Sequence, residues 1–399
     1  MNIPVRDIAI PPDWDRNGLP GWAYASAELL ELEKELLFRQ HWQLICHVND
    51  VPKAGDFLTL DIAGERALIV RGKDDVVRAF HNLCRHRGSR VAAEAQGNCK
   101  GALVCPFHGW VYNLDGTLRG PARPEGLPKL DRDEYGLKRL EQEIWNGFVF
   151  VRFKPGPQPA VADILAPFAA EAAHYRMDEA VPTTGFWEQR SEVNWKSVRD
   201  VDNEGYHVAM AHPALQDLYG IDYRDEPFIN GLSRSFANFN AGPGRRWSVK
   251  HYKNILPEIP HLPESHRRAW MYYGLFPNTV LGFTPEGISF YQEFPLATGQ
   301  TQLRGGVYGF KSDDRRMKLA RYLARRIDRD TGAEDVMLTV WSCEAVKSSA
   351  FDGVILSDYE YGVKTYHDML RKTLPVLREK REPQAGSLAS LNRELSALP

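Results

Sequence analysis

Cysteine is scarce in this chain: Cys46, Cys84, Cys99, Cys105 and Cys343 are the five among 399 residues. So sparse and odd a set builds no disulfide framework and suits a reducing compartment. An excess of one charge is also lacking. Fifty Lys and Arg against 52 Asp and Glu leave a formal net charge of −2, which argues against a nucleic-acid groove or a polybasic membrane surface. Apolar runs such as "FVFVRF" fall far short of the roughly 20 residues that span a bilayer. The opening "MNIPVRDIAIPPDWDR" has no basic segment followed by an apolar stretch, so no secretory signal is expected. These absences point to a cytoplasmic protein with neither nucleic acid nor membrane as a partner. Hydrophobic residues make up 43% of the chain, enough for the cores of two domains.

What is present is a change of texture. "SAELLELEKELLFRQHW" reads as a helix, with Leu29, Leu32 and Leu36 at helical spacing and Ser26 placed to cap it. From Trp42 onward, short β-rich runs ("FLTLDI", "ALIVRG", "VVRAFHN", "WVYN", "GFVFVRF") alternate with Gly, Asp and Asn, the pattern of a small all-β domain. "NLDGTL" supplies an Asp-Gly hairpin turn. "KPGPQPAVA" (154–162) reads as a linker. Beyond it helical and strand-like runs mix, which predicts an α+β domain. Ser357 and Glu360 form a capping-box signature ahead of an apolar face of Tyr359, Val363, Tyr366 and Leu370. The expected organisation is an N-terminal helical segment packing on the second domain (1–41), a β domain (42–155), an α+β domain (156–381) and a loosely held tail (382–399).

Two short bursts carry ligand chemistry. "NLCRHRGSRV" holds Cys84 and His86; "LVCPFHGWVY" holds Cys105 and His108, with eighteen residues between. A structural zinc accepts two Cys and two His. Zinc modules, however, pair Cys with Cys and His with His along the chain, whereas each burst here supplies one of each. The mixed order suits a two-iron centre in which one iron takes both thiolates and the other both imidazoles. Imidazole in place of thiolate removes negative charge and raises the potential. Pro106, Gly88 and Gly109 suit tight loops, and Trp110 can shield the centre. Cys46, Cys99 and Cys343 read as small buried hydrophobes.

The second domain holds "NWKSVRDVDNEGYHVAMAHPAL". On one helix, Asp200, Glu204 and His207 fall at i, i+4 and i+7 and share a face. His212 lies about 140° from His207 on an unbroken helix. The helix must therefore bend or end near His212 if both imidazoles are to bind one ion, and Pro213 disfavours helical geometry there. Two His need a carboxylate to complete a facial triad with open positions.

Together these constellations resemble the large (alpha) subunit of the Rieske non-haem iron oxygenases. The likeness rests on "HNLCRHRGSRV", "ALVCPFHGWVYNLDGTL" and the two histidines of the family's D-x2-H-x4-H segment, here His207 and His212. It implies a small all-β Rieske [2Fe–2S] domain and a larger helix-grip catalytic domain with an antiparallel sheet. It implies Cys84, His86, Cys105 and His108 as [2Fe–2S] ligands, and His207 and His212 on a mononuclear Fe(II), with O2 as co-substrate. The family's third ligand is an Asp far downstream, often in a Glu-Asp pair; Glu334–Asp335 makes Asp335 the choice and Asp352 the alternative. The acidic residue three before the first His is normally an Asp that bridges the Rieske His of one subunit and an iron-ligand His of the next. Here it is Glu204, which looks like the carnitine-type members. Asp200 and Asp202 are rivals for that bridge, Asp200 sharing the helix face and Asp202 pointing elsewhere.

The activity so implied is that of a terminal oxygenase acting on a small organic molecule. The chain has no G-x-G-x-x-G fingerprint and no plant-type C-x4-C-x2-C run, so electrons come from an NAD(P)H-dependent reductase, with or without a ferredoxin. The resemblance also implies a homotrimer closed head to tail. The second domain is rich in aromatics, among them Trp187, Phe236, Trp247, Tyr252, Trp270, Tyr272 and Tyr291. Each aromatic face attracts a quaternary ammonium group by about 0.5–2 kcal/mol. That puts N-demethylation or hydroxylation of a betaine-like compound first. Ring hydroxylation or O-demethylation of an aromatic acid stays open, as does a non-catalytic Rieske electron carrier. Arg234, Arg245, Arg246 and Lys250 are candidates to hold a substrate carboxylate.

Overall fold

The computed structural model describes residues 2–312 and 314–397. They form two compact units, one of residues Lys34–Asp163 and one built from the chain on either side of it. No helix among the described residues is long and apolar enough to cross a membrane.

The first unit holds three small antiparallel sheets. One runs in the order Val77–His81, Glu65–Arg71, Asp56–Ile62, Gln96–Asn98; a second in the order Gln43–His47, Phe148–Arg152, Glu141–Trp145; the third is the meander Leu103–Val104, Val111–Tyr112, Leu118–Gly120. Alternation along the strands turns Leu68, Val70, Phe80 and Tyr112 into one core. The "NLDGTL" turn needs its glycine twice over. Gly116 sits at φ +88°, and a Cβ there would stand 2.3 Å from the Phe80 ring.

Two boundaries differ from those expected. The 154–162 segment is no free linker: Arg152 Nη1 donates to the carbonyls of Gly156 (3.0 Å) and Gln158 (3.1 Å), and Trp42 Nε1 to that of Pro159 (2.9 Å). Proline denies these residues regular structure but leaves their carbonyls free to accept, so the unit ends after Asp163. The helical stretch behind Ser26 is divided as well. Ala27–Glu33 belongs to the second unit, while Lys34–Phe38, wound in a wider π-type turn, belongs to the first. The buried leucines are Leu29, Leu30 and Leu37, while Leu32 and Leu36 are half-buried.

The second unit is an antiparallel sheet in the order Val181–Pro182, Gln300–Gly309, Gly287–Ala297, Thr279–Thr284, Ala269–Leu275, Leu232–Asn238, Arg224–Ile229, with Trp187–Ser191 also paired to Gln300–Gly309. A long helix, Arg315–Ala345, is capped by the Asp314 carboxylate. Its Ala320, Leu323, Ala324 and Ile327 recur at helical spacing and bury against Val249, Tyr252 and Trp270. Glu33, wholly buried, accepts from Trp195 Nε1 (2.8 Å) and Lys196 Nζ (2.5 Å), tying the N-terminal helix to the helix Trp195–Asp202.

The tail is not loosely held. Leu388–Ser396 form a helix. Glu28 accepts from the N–H groups of Gly386 and Leu388, both at 2.8 Å, and Asn392 Oδ1 from Val376 N at 3.2 Å. A carboxylate satisfying N–H groups left free at a helix start explains the attachment. The last two residues of the expected tail lie outside the described set.

Candidate functional site

In the first unit both ligand loops follow one plan. Cys84 N donates to Ser89 O (2.7 Å) and Gly88 N to Cys84 O (2.9 Å); Cys105 N donates to Trp110 O (2.8 Å) and Gly109 N to Cys105 O (3.0 Å). Gly88 and Gly109 lie at φ +73° and +64°, which closes each loop tightly. Both cysteines are buried, whereas His86 and His108 reach the surface with ring centroids 4.6 Å apart. His86 stacks on the buried Trp110 at 5.1 Å. Sulfur inside and imidazole outside is the donor arrangement of a two-iron cluster with split ligation. The Tyr112 oxygen accepts from Arg85 N (3.0 Å) and lies 3.2 Å from Cys84 Sγ, so its hydroxyl hydrogen is free to point at the sulfur. Tyr112 gave no sign of this in sequence beyond its place in the strand "WVYN".

In the second unit the helix expected to carry Asp200, Glu204 and His207 on one face ends at Asp202. The chain leaves it because Gly205 N donates to the Asp225 carboxylate (2.7 Å) on the edge strand. The turn needs glycine, since a Cβ at Gly205 would stand 2.1 Å from the Tyr223 ring. Asp200 therefore does not share a face with the other two. It accepts from Tyr24 Oη (2.5 Å) and pairs with His367 Nε2 (2.8 Å), and drops out as a bridge. Asp202 is taken by Arg199 (2.6 Å) and the Tyr291 hydroxyl. Glu204 turns to His207, accepting from its N–H (3.1 Å) and lying 2.5 Å from its Nδ1.

The short helix Val208–Ala211 stops at His212 (φ −117°, ψ 78°), and Pro213 opens the next helix. This break brings the two imidazoles together, Nε2 to Nε2 at 3.0 Å. Asp335, on the long helix, puts Oδ1 at 2.8 Å from His212 Nε2 and 3.6 Å from His207 Nε2. All three donors lie within 4.8 Å of one another. Asp352 is exposed and no part of the group. Glu334, the other half of the Glu-Asp pair, lies 3.0 Å from His212 Nδ1. The reading of the sequence missed it; adjacency to Asp335 was the available signal.

Each Nδ1 thus faces a glutamate. With the protons there, both Nε2 lone pairs and the Asp335 oxygen, a buried atom with no aligned donor, converge on one point. Three lone pairs without a proton between them call for a cation, and two His with one carboxylate is the donor set of a ferrous facial triad. The field agrees. Burial opposes a charge on His207, but Asp335 and Glu204 outweigh it and push the imidazole up to about 10. Burial would raise the Asp335 carboxyl, yet the two imidazoles hold it below the usual range.

The basic residues named for a carboxylate are not at this site. Arg234 pairs with Glu226 (2.5 Å) and Glu171 (3.0 Å), because strand alternation puts it on the sheet face opposite Ser235. Arg245, Arg246 and Lys250 are exposed. Tyr359 lies off the apolar face assigned to it: it is 73% exposed and stacks on Tyr206.

The family model of the ring hydroxylating alpha subunit (catalytic domain) matches residues 170–375, just over half of the chain, and that of the Rieske [2Fe–2S] domain matches residues 41–131. The chain belongs to the Rieske non-haem iron oxygenases, as an oxygenase alpha subunit whose cofactors are a [2Fe–2S] cluster and a mononuclear iron. It is similar to the carnitine monooxygenase oxygenase subunit of Escherichia coli strain K12, 27% identical over 388 residues that cover 91% of this chain and 97% of that protein. Over 49% of its length it is 36% identical to the glycine betaine monooxygenase oxygenase subunit of Pseudomonas aeruginosa strain UCBPP-PA14, covering 45% of that protein. Among solved structures it shares the fold of a quaternary ammonium Rieske monooxygenase bound to L-carnitine (TM-score 0.72, 22% identity, 90% and 95% of the chains). It also shares the fold of naphthalene 1,2-dioxygenase with indole bound (TM-score 0.69, 18% identity, 96% and 97%). The expected fold class holds, α+β with a β-rich Rieske domain. The electron-carrier alternative falls, because a carrier needs no catalytic domain.

Proposed function

We propose that this chain is the oxygenase component of a system that hydroxylates or oxidatively N-demethylates a quaternary ammonium or betaine-like compound with O2. The observation that carries the reading is the convergence of His207, His212 and Asp335 on one point in the catalytic domain. The relatives named for carnitine and glycine betaine support the substrate class, and Glu204 stands where the carnitine-type members carry Glu.

In this reading His207, His212 and Asp335 hold Fe(II), and Cys84, His86, Cys105 and His108 hold the [2Fe–2S] cluster. When bound, the ferrous ion supplies open positions for O2, and the cluster supplies electrons one at a time. The chain's own residues prepare that chemistry. Glu204 and Glu334 hold the Nδ1 protons and so keep both Nε2 lone pairs available. Glu204, in contact with His207, also serves as the bridge toward a neighbouring subunit's cluster. The assembly this requires is a homotrimer, fed by an NAD(P)H-dependent reductase directly or through a ferredoxin. The sparse cysteines, none of them in a disulfide, fit a cytoplasmic setting.

Purified protein is expected to carry about three irons per chain, two in the cluster and one in the triad. His212→Ala or Asp335→Ala should lower this to about two, leave the cluster's visible spectrum unchanged and reduce turnover to background. Unchanged iron content would refute the triad. With a surrogate reductase, betaine-type substrates should release formaldehyde or a hydroxylated product. Diols or phenols from aromatic acids, with no product from any N-methyl compound, would replace this reading with ring hydroxylation.

A further inference from the structure

Glu204 and His207 share one tight turn, and Gly205 is its pivot. The Gly205 carbonyl accepts from Val208 N (3.2 Å), where the helix Val208–Ala211 begins, while its N–H donates to the Asp225 carboxylate (2.7 Å). The turn folds Glu204 back on His207, so that its two oxygens meet the backbone N–H and the Nδ1 of that one residue. The flank before Glu204 is fixed by packing. Asn203 Oδ1 accepts from Nη2 of the buried Arg199 (2.7 Å), and the Asn203 carbonyl presses on Gly362, where a Cβ would stand 2.4 Å from it. The flank after it is fixed by Asp225.

Asp225 is itself well anchored. It lies on the edge strand Arg224–Ile229, in register with Ser235 of the next strand, and Ser235 Oγ donates to its Oδ1 (2.7 Å). One carboxylate oxygen thus faces the sheet and the other, Oδ2, faces the turn. The ladder on either side, Arg224 with Phe236 and Glu226 with Arg234, keeps the strand from sliding. Asp225 therefore carries the rigidity of the sheet into the segment between Glu204 and His207. That matters more for glutamate than for aspartate. The longer arm has one more torsion to fix, so its carboxylate is placed only as well as its backbone is held.

We propose that Asp225 is a positioning residue for Glu204 and, through Glu204, for His207. The assignment rests on the reading above, in which His207 binds iron and Glu204 is the bridge toward a neighbouring subunit's cluster, and goes beyond it by naming the residue that sets the bridge. Removing the acceptor frees Gly205 N and loosens the turn, so Glu204 no longer meets His207 Nδ1 in one fixed way. Two consequences follow. His207 loses the partner that keeps its Nε2 lone pair turned to the metal, and the electron that leaves the cluster for the iron site crosses a bridge out of line. Asparagine separates acceptor from charge. Its amide oxygen still accepts from Gly205 N, and its NH2 group donates to the Ser235 hydroxyl.

The test compares the full chain with Asp225→Ala and Asp225→Asn by three readouts. The first is Fe(II) affinity by chelator competition. The second is the rate at which the pre-reduced cluster regains its oxidised visible spectrum on mixing with O2 and glycine betaine. The third is amide hydrogen exchange at Gly205. Asp225→Ala is expected to weaken Fe(II) binding and slow cluster oxidation, each by roughly tenfold, the low end for a partner of a metal ligand because it acts at one remove. Its cluster spectrum should match the parent's, and Asp225→Asn should stay within about threefold of the parent. A folded Asp225→Ala with parental affinity and rate overturns the assignment, as does an equal loss in both variants. So does a Gly205 amide that exchanges in the parent as fast as an open loop, a readout that holds even where Asp225→Ala does not fold. Asp225-dependent Fe(II) affinity in a protein that turns over no N-methyl compound supports the positioning role and rejects the substrate. Turnover of glycine betaine indifferent to residue 225 supports the reaction and rejects the role.

Discussion

At the scale of single residues, the site depends on which oxygen holds which nitrogen. His207 and His212 offer Nε2 to a metal only while Nδ1 keeps its proton, and Glu204 and Glu334 supply the acceptors. Losing such a partner typically costs 10–100-fold in metal affinity. Glu334→Ala is therefore expected to weaken iron binding by about that factor, measured by chelator competition, without altering the cluster spectrum; unchanged affinity would show that Glu334 does not orient His212. At this scale the sequence was legible where the ligands are close along the chain. Cys84 and His86, Cys105 and His108, and His207 and His212 are all short-range pairs. Asp200 was misjudged because its placement assumed a helix that Gly205 and Asp225 interrupt. Glu334 was missed because its partner lies 122 residues away.

At the scale of elements, strand alternation and helix ends decide what is buried, and some buried groups titrate. Glu286, in the turn between strands Thr279–Thr284 and Gly287–Ala297, is 4% exposed and accepts from Tyr252 Oη at 2.7 Å. Burial pushes its carboxyl up to about 7, against about 4.5 in an open chain. The folded form thus keeps a proton that the unfolded form releases as pH rises from about 4.5 to about 7. Stability falls across that window, by on the order of 3 kcal/mol from this group, and levels off above it. Glu286→Gln should flatten that part of the profile and unfold at a higher temperature than the parent at pH 8. A parent whose midpoint does not fall between pH 5 and pH 8 would contradict the expected ionisation. Short β runs, the Asp-Gly hairpin and the capping box were readable here because they are local patterns. The π-type turn and the attached 154–162 segment were not, since both follow from neighbours remote in sequence.

At the scale of the whole molecule, the catalytic unit is discontinuous: the chain begins it, leaves to build the Rieske unit, and returns. Its closure relies on contacts between the first and last segments, with Glu28 capping the helix Leu388–Ser396 and Asn392 pairing with Val376 N. Deleting the chain after Arg381 removes those contacts and the buried Leu388. The thermal midpoint of the catalytic unit should fall by roughly 2–4 °C for each kcal/mol lost, read by calorimetry. No shift would mean that the tail is dispensable.

The sequence by itself determined the donor chemistry, the mixed Cys-His order and the break ahead of Pro213. Ligand identity, tight turns and helix termination act over a few residues, so they can be read in one dimension. Only the tertiary structure decided that Glu334 meets His212 and that Asp200 and Arg234 face other partners. Those outcomes depend on how a helix whose Glu334 lies 122 residues beyond His212 lies across a sheet, and register and packing settle that in three dimensions.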